Sequence, residues 1–479
     1  MSEPRRTSEF DAVVVGSGPN GLMAAITMAR AGRRTVVFEA APTPGGGSRT
    51  AALTEPGFLH DVCSSVHPTA VASPAFASLR LAEHGVEWCH PEIPLAHPLD
   101  GGRAGLLHRS VEATAVGLGA DAAAYRATFT RLVAQARGVS ETLFSPLGIP
   151  HVPFTMARFG LDAIRSVRGL ADHRYSGDEA RALLGGAAAH SMVSLDAAGT
   201  AGYGLFLGLL AHAVGWPVAR GGSQAITDAL VAELRAYGGE VVTDHEVRDL
   251  ADLPPARSTL LDITPRQLLA LGGDRVPARY RRTLRRYRYG PGVFKVDWAL
   301  SEPVPWTNPD VRRAGTVHVG GTIAEIADAE AAVLAGRVPN RPFVLFVQAT
   351  VADPSRAPEG RHTGWAYCHV PNGSTVDRTD AIEAQVERFA PGFRDTILAR
   401  RTMHAAGMEA YDANYVGGDI NGGAGTLRQI FTRPAVSPRP WVTPIPGVYL
   451  CSSATPPGGG VHGMCGWHAA GSALGHELR

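Results

Sequence analysis

Short, largely apolar runs alternate along this chain with longer stretches of helical period, and together they predict its elements. Ala12–Val15 is such a run, cut off by Gly16-Ser-Gly-Pro19; a helical pattern follows to Ala31-Gly32, and a second run, Thr35–Phe38, ends in Glu39. Runs apolar at every position suit strands buried on both faces, so the unit predicts strand, helix, strand in a parallel sheet. Helical periodicity then recurs over 75–83, 121–143, 156–171 and 178–190, with Ser73-Pro74 as a cap and first-turn proline, which predicts a largely helical insertion over 60–220. The apolar run Ala198–Ala219 is interrupted by His212, Pro217 and several glycines, which fits a buried or substrate-facing helix better than a membrane span.

The first pattern returns further on. Gly221-Gly-Ser-Gln224 opens a helix to Leu234 with Ser223 as its cap, Gly238-Gly239 ends it, and strands follow at Glu240–Thr243 and Thr259–Ile263. From 292 to 411 strands and helices mix: Val293–Ala299, Phe343–Thr350 and Gly364–Val370 read as strands, and Thr322-Ile-Ala-Glu325 is a capping box opening a helix to Gly336. Near the C-terminus come a short strand, Val448–Cys451, a turn containing Gly458-Gly-Gly460, and a small-residue helix starting near Val461. The expected fold class is α/β: a Rossmann-type nucleotide-binding domain, discontinuous in sequence, with a mixed α+β substrate domain inserted. The nucleotide domain is assigned 1–70, 215–290 and 435–479, and the substrate domain 71–214 and 291–434.

The glycines carry the candidate chemistry. In Gly16-Ser-Gly18-Pro19-Asn20-Gly21, Gly16 makes the tight turn, Gly18 lets a pyrophosphate approach the helix N-terminus, and Gly21 lets helix and strand touch, while Glu39 can accept from ribose hydroxyls. A second cluster, Gly45-Gly46-Gly47-Ser48-Arg49, adds backbone N–H groups and a cation for a ligand longer than NAD, which favours FAD. The C-terminal glycines, followed by the positive end of a helix dipole, offer a second seat for the same anionic cofactor.

Composition narrows the partners. With 45 Lys+Arg against 44 Asp+Glu there is no charge excess for nucleic acid. Five scattered cysteines without CxxC spacing indicate neither a disulfide framework nor a metal site, and a reducing cytoplasm is expected. The polar start Met1–Phe10 carries no signal-peptide pattern. Arg279–Arg288 is the one charge concentration, read as a solvated helix face or a patch for acidic lipid or an anionic substrate, so that peripheral membrane contact stays open, as does oligomeric state.

Val15–Gly21, Gly221–Gln224, Arg361–Gly373, Glu387–Phe393 and Pro456–Gly463 together resemble the phytoene-desaturase-like FAD-dependent oxidoreductases, in particular a bacterial soluble branch related to mitochondrial pyridine-nucleotide-disulphide-oxidoreductase-domain proteins. The resemblance covers nearly the whole chain. It implies a glutathione-reductase-like FAD domain and an apolar substrate held over the flavin. It also implies that Gly16, Gly18, Pro19, Asn20 and Gly21 hold the pyrophosphate, Glu39 the ribose, Gly46, Gly47 and Arg49 the middle of the cofactor, Val247 the adenine, and Gly459, Gly460 and Val461 the flavin. Ser452, Ser453 and Ala454 depart from the Gly/Ala run of carotenoid desaturases, which speaks against a carotene substrate.

Side chains for chemistry are few. His462 stands at the turn into the last helix, as a proton acceptor or as a cap; Trp365, Tyr367 and His369 share one strand face and can wall a substrate pocket or fill a core; His212 and Trp216 sit four apart on the apolar helix, where they pack together or meet the substrate. No metal-ligand cluster is evident. The favoured function is an FAD-dependent dehydrogenase, desaturase or isomerase moving hydride between an apolar small molecule and flavin N5. The alternatives are a flavin amine oxidase and an escort-type binding protein without catalysis.

Overall fold

The computed structural model describes residues 9–146 and 148–477, so most of the polar Met1–Phe10 stretch lies outside the described residues. Five strands form one parallel sheet, in the order Val448–Leu450, Ser258–Leu261, Ala12–Val15, Thr35–Phe38, Glu240–Val242. Its strands come from three distant stretches of chain, so the sheet is discontinuous in sequence. Helix Pro19–Arg30 follows the first strand and packs against both Gln224–Ala236 and the C-terminal helix Met464–Glu477. The last of these contacts explains the small residues of the C-terminal helix: a Cβ on Gly466 would lie 1.8 Å from the Asn20 carbonyl oxygen.

A second sheet of seven strands runs Ile397–Met403, Gly292–Leu300, His362–Val370, Val344–Val347, Ala314–Val319, Ile93–Pro98, Ala104–Leu107. It is antiparallel except where Ala314–Val319 pairs parallel with Ile93–Pro98. A helical layer that includes Ala122–Ala134, Val167–Arg174, Asp178–Ala189 and Thr200–Ala213 shares one apolar core with part of this sheet. The fold is therefore α/β, with a Rossmann-type sheet and an inserted mixed α+β region.

Several sequence expectations need correction. The largely helical insertion also gives Ile93–Pro98 and Ala104–Leu107 to the large sheet; the prolines and histidine of Ile93–Pro98 hid a strand buried at every residue. The helix expected over 75–83 is only Pro74–Ala77, although Ser73 does cap it by accepting the Phe76 N–H at 3.2 Å. The 121–143 stretch breaks at Gln135, and the 156–171 stretch breaks between Ala163 and Val167. The C-terminal helix starts at Met464, three residues later than Val461. The capping box at Thr322 and Glu325 forms as its spacing requires.

Ser223 does not cap its helix. Its hydroxyl lies 2.9 Å from His67 Nε2 and donates to the Ser64 carbonyl, while its N–H donates to Asp61 at 2.8 Å. Asp61 also accepts from the Thr50 and Ser65 hydroxyls and pairs with Arg356, whose Nε lies 3.4 Å from Asp353. Asp353 in turn accepts the Gly221 N–H at 2.7 Å. The Gly221–Gln224 motif is thus part of a buried ionic joint between the two regions of the fold. Burial pushes the Asp61 carboxyl up, but the Arg356 guanidinium and the Ser223 N–H outweigh it and hold the group down at about 2.

Candidate functional site

One cavity of about 1510 Å³ runs between the two sheets. Ligand pockets usually occupy roughly 300–1,000 Å³, so the space exceeds what one small molecule fills. Val15–Asn20, Phe38, Glu39 and His245–Val247 line one end, Gly46–Arg49 the middle, and Ser452–Ala454 with Pro456–His462 the far turn. Beyond that turn lies an apolar chamber of His190, Met192, Tyr203, Phe206, Trp216, Leu345, Trp365 and Tyr367. Ile149, Ile164 and Phe431, all exposed, also line the cavity.

The first loop is shaped by close approach. A Cβ on Gly21 would fall 2.1 Å from the Gly16 carbonyl oxygen, and one on Gly46 would fall 3.2 Å from Gly18 Cα, so the two glycine clusters stack directly on each other. Pro19 occupies the first helical turn, and the Oδ1 of Asn20, itself buried, has no hydrogen-bond partner. Glu39 is more engaged than a free ribose acceptor: Oε2 accepts from the Ser17 N–H and hydroxyl, and Oε1 from the Ala41 N–H at 2.9 Å and Arg49 at 3.4 Å. Arg49 also donates to the Thr43 carbonyl at 2.6 Å and lies over the Tyr411 ring, so it braces the second glycine loop from inside. A Cβ on Gly459 would meet the Asn421 backbone at 3.1 Å, and Val247 is buried at the wall beside the Phe38 and His245 rings, 4.6 Å apart.

His462 is buried against Phe144, ring centroids 5.4 Å apart. Its Nδ1 accepts the Met464 N–H at 3.0 Å and its carbonyl accepts the Ser73 hydroxyl at 2.6 Å. Burial pushes the imidazole down to about 4, against the raising effect of the Gly458 and Gly459 backbone, so the ring is neutral at pH 7.

Of the five residues expected around the substrate, Trp216, Trp365 and Tyr367 reach the cavity wall. His369 turns to Glu330 at 2.8 Å, and His212 to the Tyr125 hydroxyl at 2.7 Å; neither lines the cavity. His212 and Trp216 do not pack together as their spacing suggested. The helix ends at Ala213 and Gly215, at φ +77°, turns the chain, so Trp216 packs on His190 and His318 instead.

Several lining residues escaped the sequence reading. His190, 3.0 Å from the buried His318, stands on the chamber wall. Arg433 lies against Gly458, and Asp262 lies under the first glycine loop, its carboxylate accepting the Gly21 N–H at 2.9 Å. Lys295, paired with Asp297, sits behind the wall 5.8 Å from the Trp365 ring centre. Only the Asp262 position carried a signal, as an acid ending an apolar strand.

Residues 14–80 match the family model of the NAD(P)-binding Rossmann-like domain, which covers the first glycine loop, Glu39 and the second cluster. Pyridine nucleotide-disulfide oxidoreductase domain-containing protein 2 of Rattus norvegicus is 24% identical, with 96% of this chain and 93% of that protein covered. An oxidoreductase from Methanosarcina mazei superposes with a TM-score of 0.63 at 17% identity over 97% of this chain and 99% of its own. Putrescine oxidase bound to putrescine gives 0.61 at 17% identity, over 98% and 99%. The likeness to these structures is one of fold. The Rossmann-like domain over residues 14–80 is shown by sequence, and the architecture around it is the fold that these structures share.

Proposed function

We propose that this chain is an FAD-dependent oxidoreductase of the phytoene-dehydrogenase-like kind, acting on an apolar small molecule in the chamber beyond Gly458–His462. One observation carries the reading: a single cavity joins the nucleotide-type glycine loops to an aromatic chamber. Stacked glycine clusters, a helix N-terminus at Pro19 and a turn held close to the Asn421 backbone at Gly459 fit a long, anionic, flat cofactor. Bound there, FAD supplies a hydride acceptor at flavin N5. The protein's part is to position and to exclude water. Gly16, Gly18, Pro19, Asn20 and Gly21 hold the pyrophosphate, Gly46, Gly47 and Arg49 the middle, Glu39 and Val247 the adenosine end, and Gly459, Gly460 and Val461 the ring. Trp216, Trp365 and Tyr367 wall the substrate. Five free, buried cysteines suit a cytoplasmic protein.

The amine-oxidase reading has less support in the site. The carboxylates lining the cavity, Glu39, Glu246, Asp262 and Asp412, come from the segments around the glycine loops, and none comes from the chamber walls that would receive an ammonium group.

Purified protein is expected to hold FAD non-covalently, seen as a flavin absorbance spectrum released by denaturation. Protein that stays colourless and takes up no added FAD would sink the proposal. His462 is assigned the part of cap, since its proton-accepting Nδ1 is spent on the Met464 N–H. His462→Ala should cost about 1–2 kcal/mol in unfolding free energy and speed FAD release, since the helix start loses its acceptor. Unchanged stability and FAD retention with a loss of turnover would return His462 to a proton-transfer role.

A further inference from the structure

Arg433 is a buried cation with no ion-pair partner within reach of its guanidinium among the described residues. The residue is 4% exposed and lines the cavity at its turn; Nη1 donates to the Ser453 carbonyl at 3.1 Å and lies 2.8 Å from where a Gly458 Cβ would stand. Its Nε has no hydrogen-bond partner, and among the described residues no carboxylate forms an ion pair with it. The acid in its electrostatic reach, Asp419, spends its oxygens on the Gly290 N–H at 2.7 Å and the Asn421 N–H at 2.9 Å, and burial raises its pKa despite the nearby guanidinium. A guanidinium removed from water with donors unspent is costly unless an anion arrives to meet it.

The surroundings define the anion. The helix Leu427–Thr432 leads directly into Arg433, and its Leu427, Ile430 and exposed Phe431 line the same cavity, as do Tyr203 and Phe206, all of them apolar or aromatic. A molecule that satisfies both features has one planar anionic group and an apolar body. Arginine's fork matches a carboxylate in two parallel hydrogen bonds, which a lysine cannot reproduce.

We infer that Arg433 anchors the carboxylate of an apolar acid in this cavity, so that the substrate class is a fatty or aryl carboxylic acid and not a neutral hydrocarbon or an amine. The inference rests on the proposed function for its setting, but not for its test. Laurate, dodecanol and dodecylamine are titrated into wild-type protein, Arg433→Gln and Arg433→Lys, with the fluorescence of the cavity tryptophans as readout and FAD content measured in parallel. Tryptophan fluorescence reports binding whether or not FAD is present, so a colourless protein that still prefers laurate would end the oxidoreductase reading and leave this one standing.

Wild type is expected to bind laurate at least tenfold tighter than dodecanol and dodecylamine. Arg433→Gln should erase that preference at unchanged FAD content, and Arg433→Lys should keep part of it. Equal binding of laurate and dodecanol by wild type would overturn the inference. So would an Arg433→Gln or Arg433→Lys protein that loses FAD yet still prefers the acid, which would make Arg433 a cofactor contact.

Discussion

Replacing Arg356 with alanine should cost about 3–5 kcal/mol of unfolding free energy, enough to unfold much of the protein at physiological temperature. The side chain is fully buried, with Asp61 and Asp353 on either side of it, both also buried. Removing one partner of such a group leaves the others as uncompensated charges in a low dielectric, and that penalty exceeds the value of the original pair. Here Asp61 loses its ion-pair partner, and Asp353 is left with the half-exposed Arg220 at 3.6 Å. The damage also spreads to the site, because the Asp61 carbonyl accepts Trp365 Nε1 at 2.9 Å and its carboxylate accepts the Ser223 N–H. Urea unfolding followed by intrinsic fluorescence measures the loss, and a change within about 1 kcal/mol would show that the joint is not a structural keystone. A triple replacement of Arg356, Asp61 and Asp353 by apolar residues of similar volume should be less damaging than Arg356→Ala alone. The pH dependence has a definite sign. Asp61 is held at about 2 in the folded chain, so its contribution is present above the ordinary carboxylate value of 3.8 and is lost as pH falls through about 2.

This joint also shows where sequence reading stops. The glycine loops were legible because each is a local unit: strand, turn and helix lie within a few residues, and the chemistry of glycine is the signal. The three-part parallel sheet was legible because each of its strands is a short, largely apolar run. Asp61 and Arg356 lie 295 residues apart, and nothing local in either marks it as a partner of the other. Ser223 and His212 show the converse. Both sit where a local rule assigns a role, as helix cap and as neighbour of Trp216, and in both cases a tertiary partner takes the side chain instead. Arg433 was missed on other grounds, since a single arginine in a loop reads as solvated, and only the folded chain reveals that it is buried and unpaired.

Replacing Asp262 with asparagine should flatten the pH dependence of stability between about pH 4 and 8 and strengthen FAD retention at alkaline pH. Asp262 follows the strand Ser258–Leu261 and points under the first glycine loop, where its Oδ2 accepts the Gly21 N–H at 2.9 Å and would lie 2.8 Å from a Gly18 Cβ. A helix N-terminus favours negative charge, yet burial dominates. Removal from water, with Asp412 and Glu39 nearby, pushes the carboxyl up to about 8 although the Gly21 N–H works the other way. The folded chain therefore holds a proton that the unfolded chain releases above the ordinary value of 3.8. Stability from this group is fully present below that value and declines as pH rises through about 8, with a slope of at most roughly 1.4 kcal/mol per pH unit. In the proposed cofactor mode the FAD pyrophosphate approaches the same helix end, so an ionised Asp262 would face it with like charge. Asparagine keeps an acceptor for the Gly21 N–H and cannot ionise, which separates the electrostatic effect from the structural one; alanine would remove both. Thermal unfolding across pH 5–9, together with the rate of FAD fluorescence release, measures the two consequences. If the asparagine variant shows the wild-type slope, another group is responsible for the proton uptake, since no carboxylate would remain at the end of that strand to supply it.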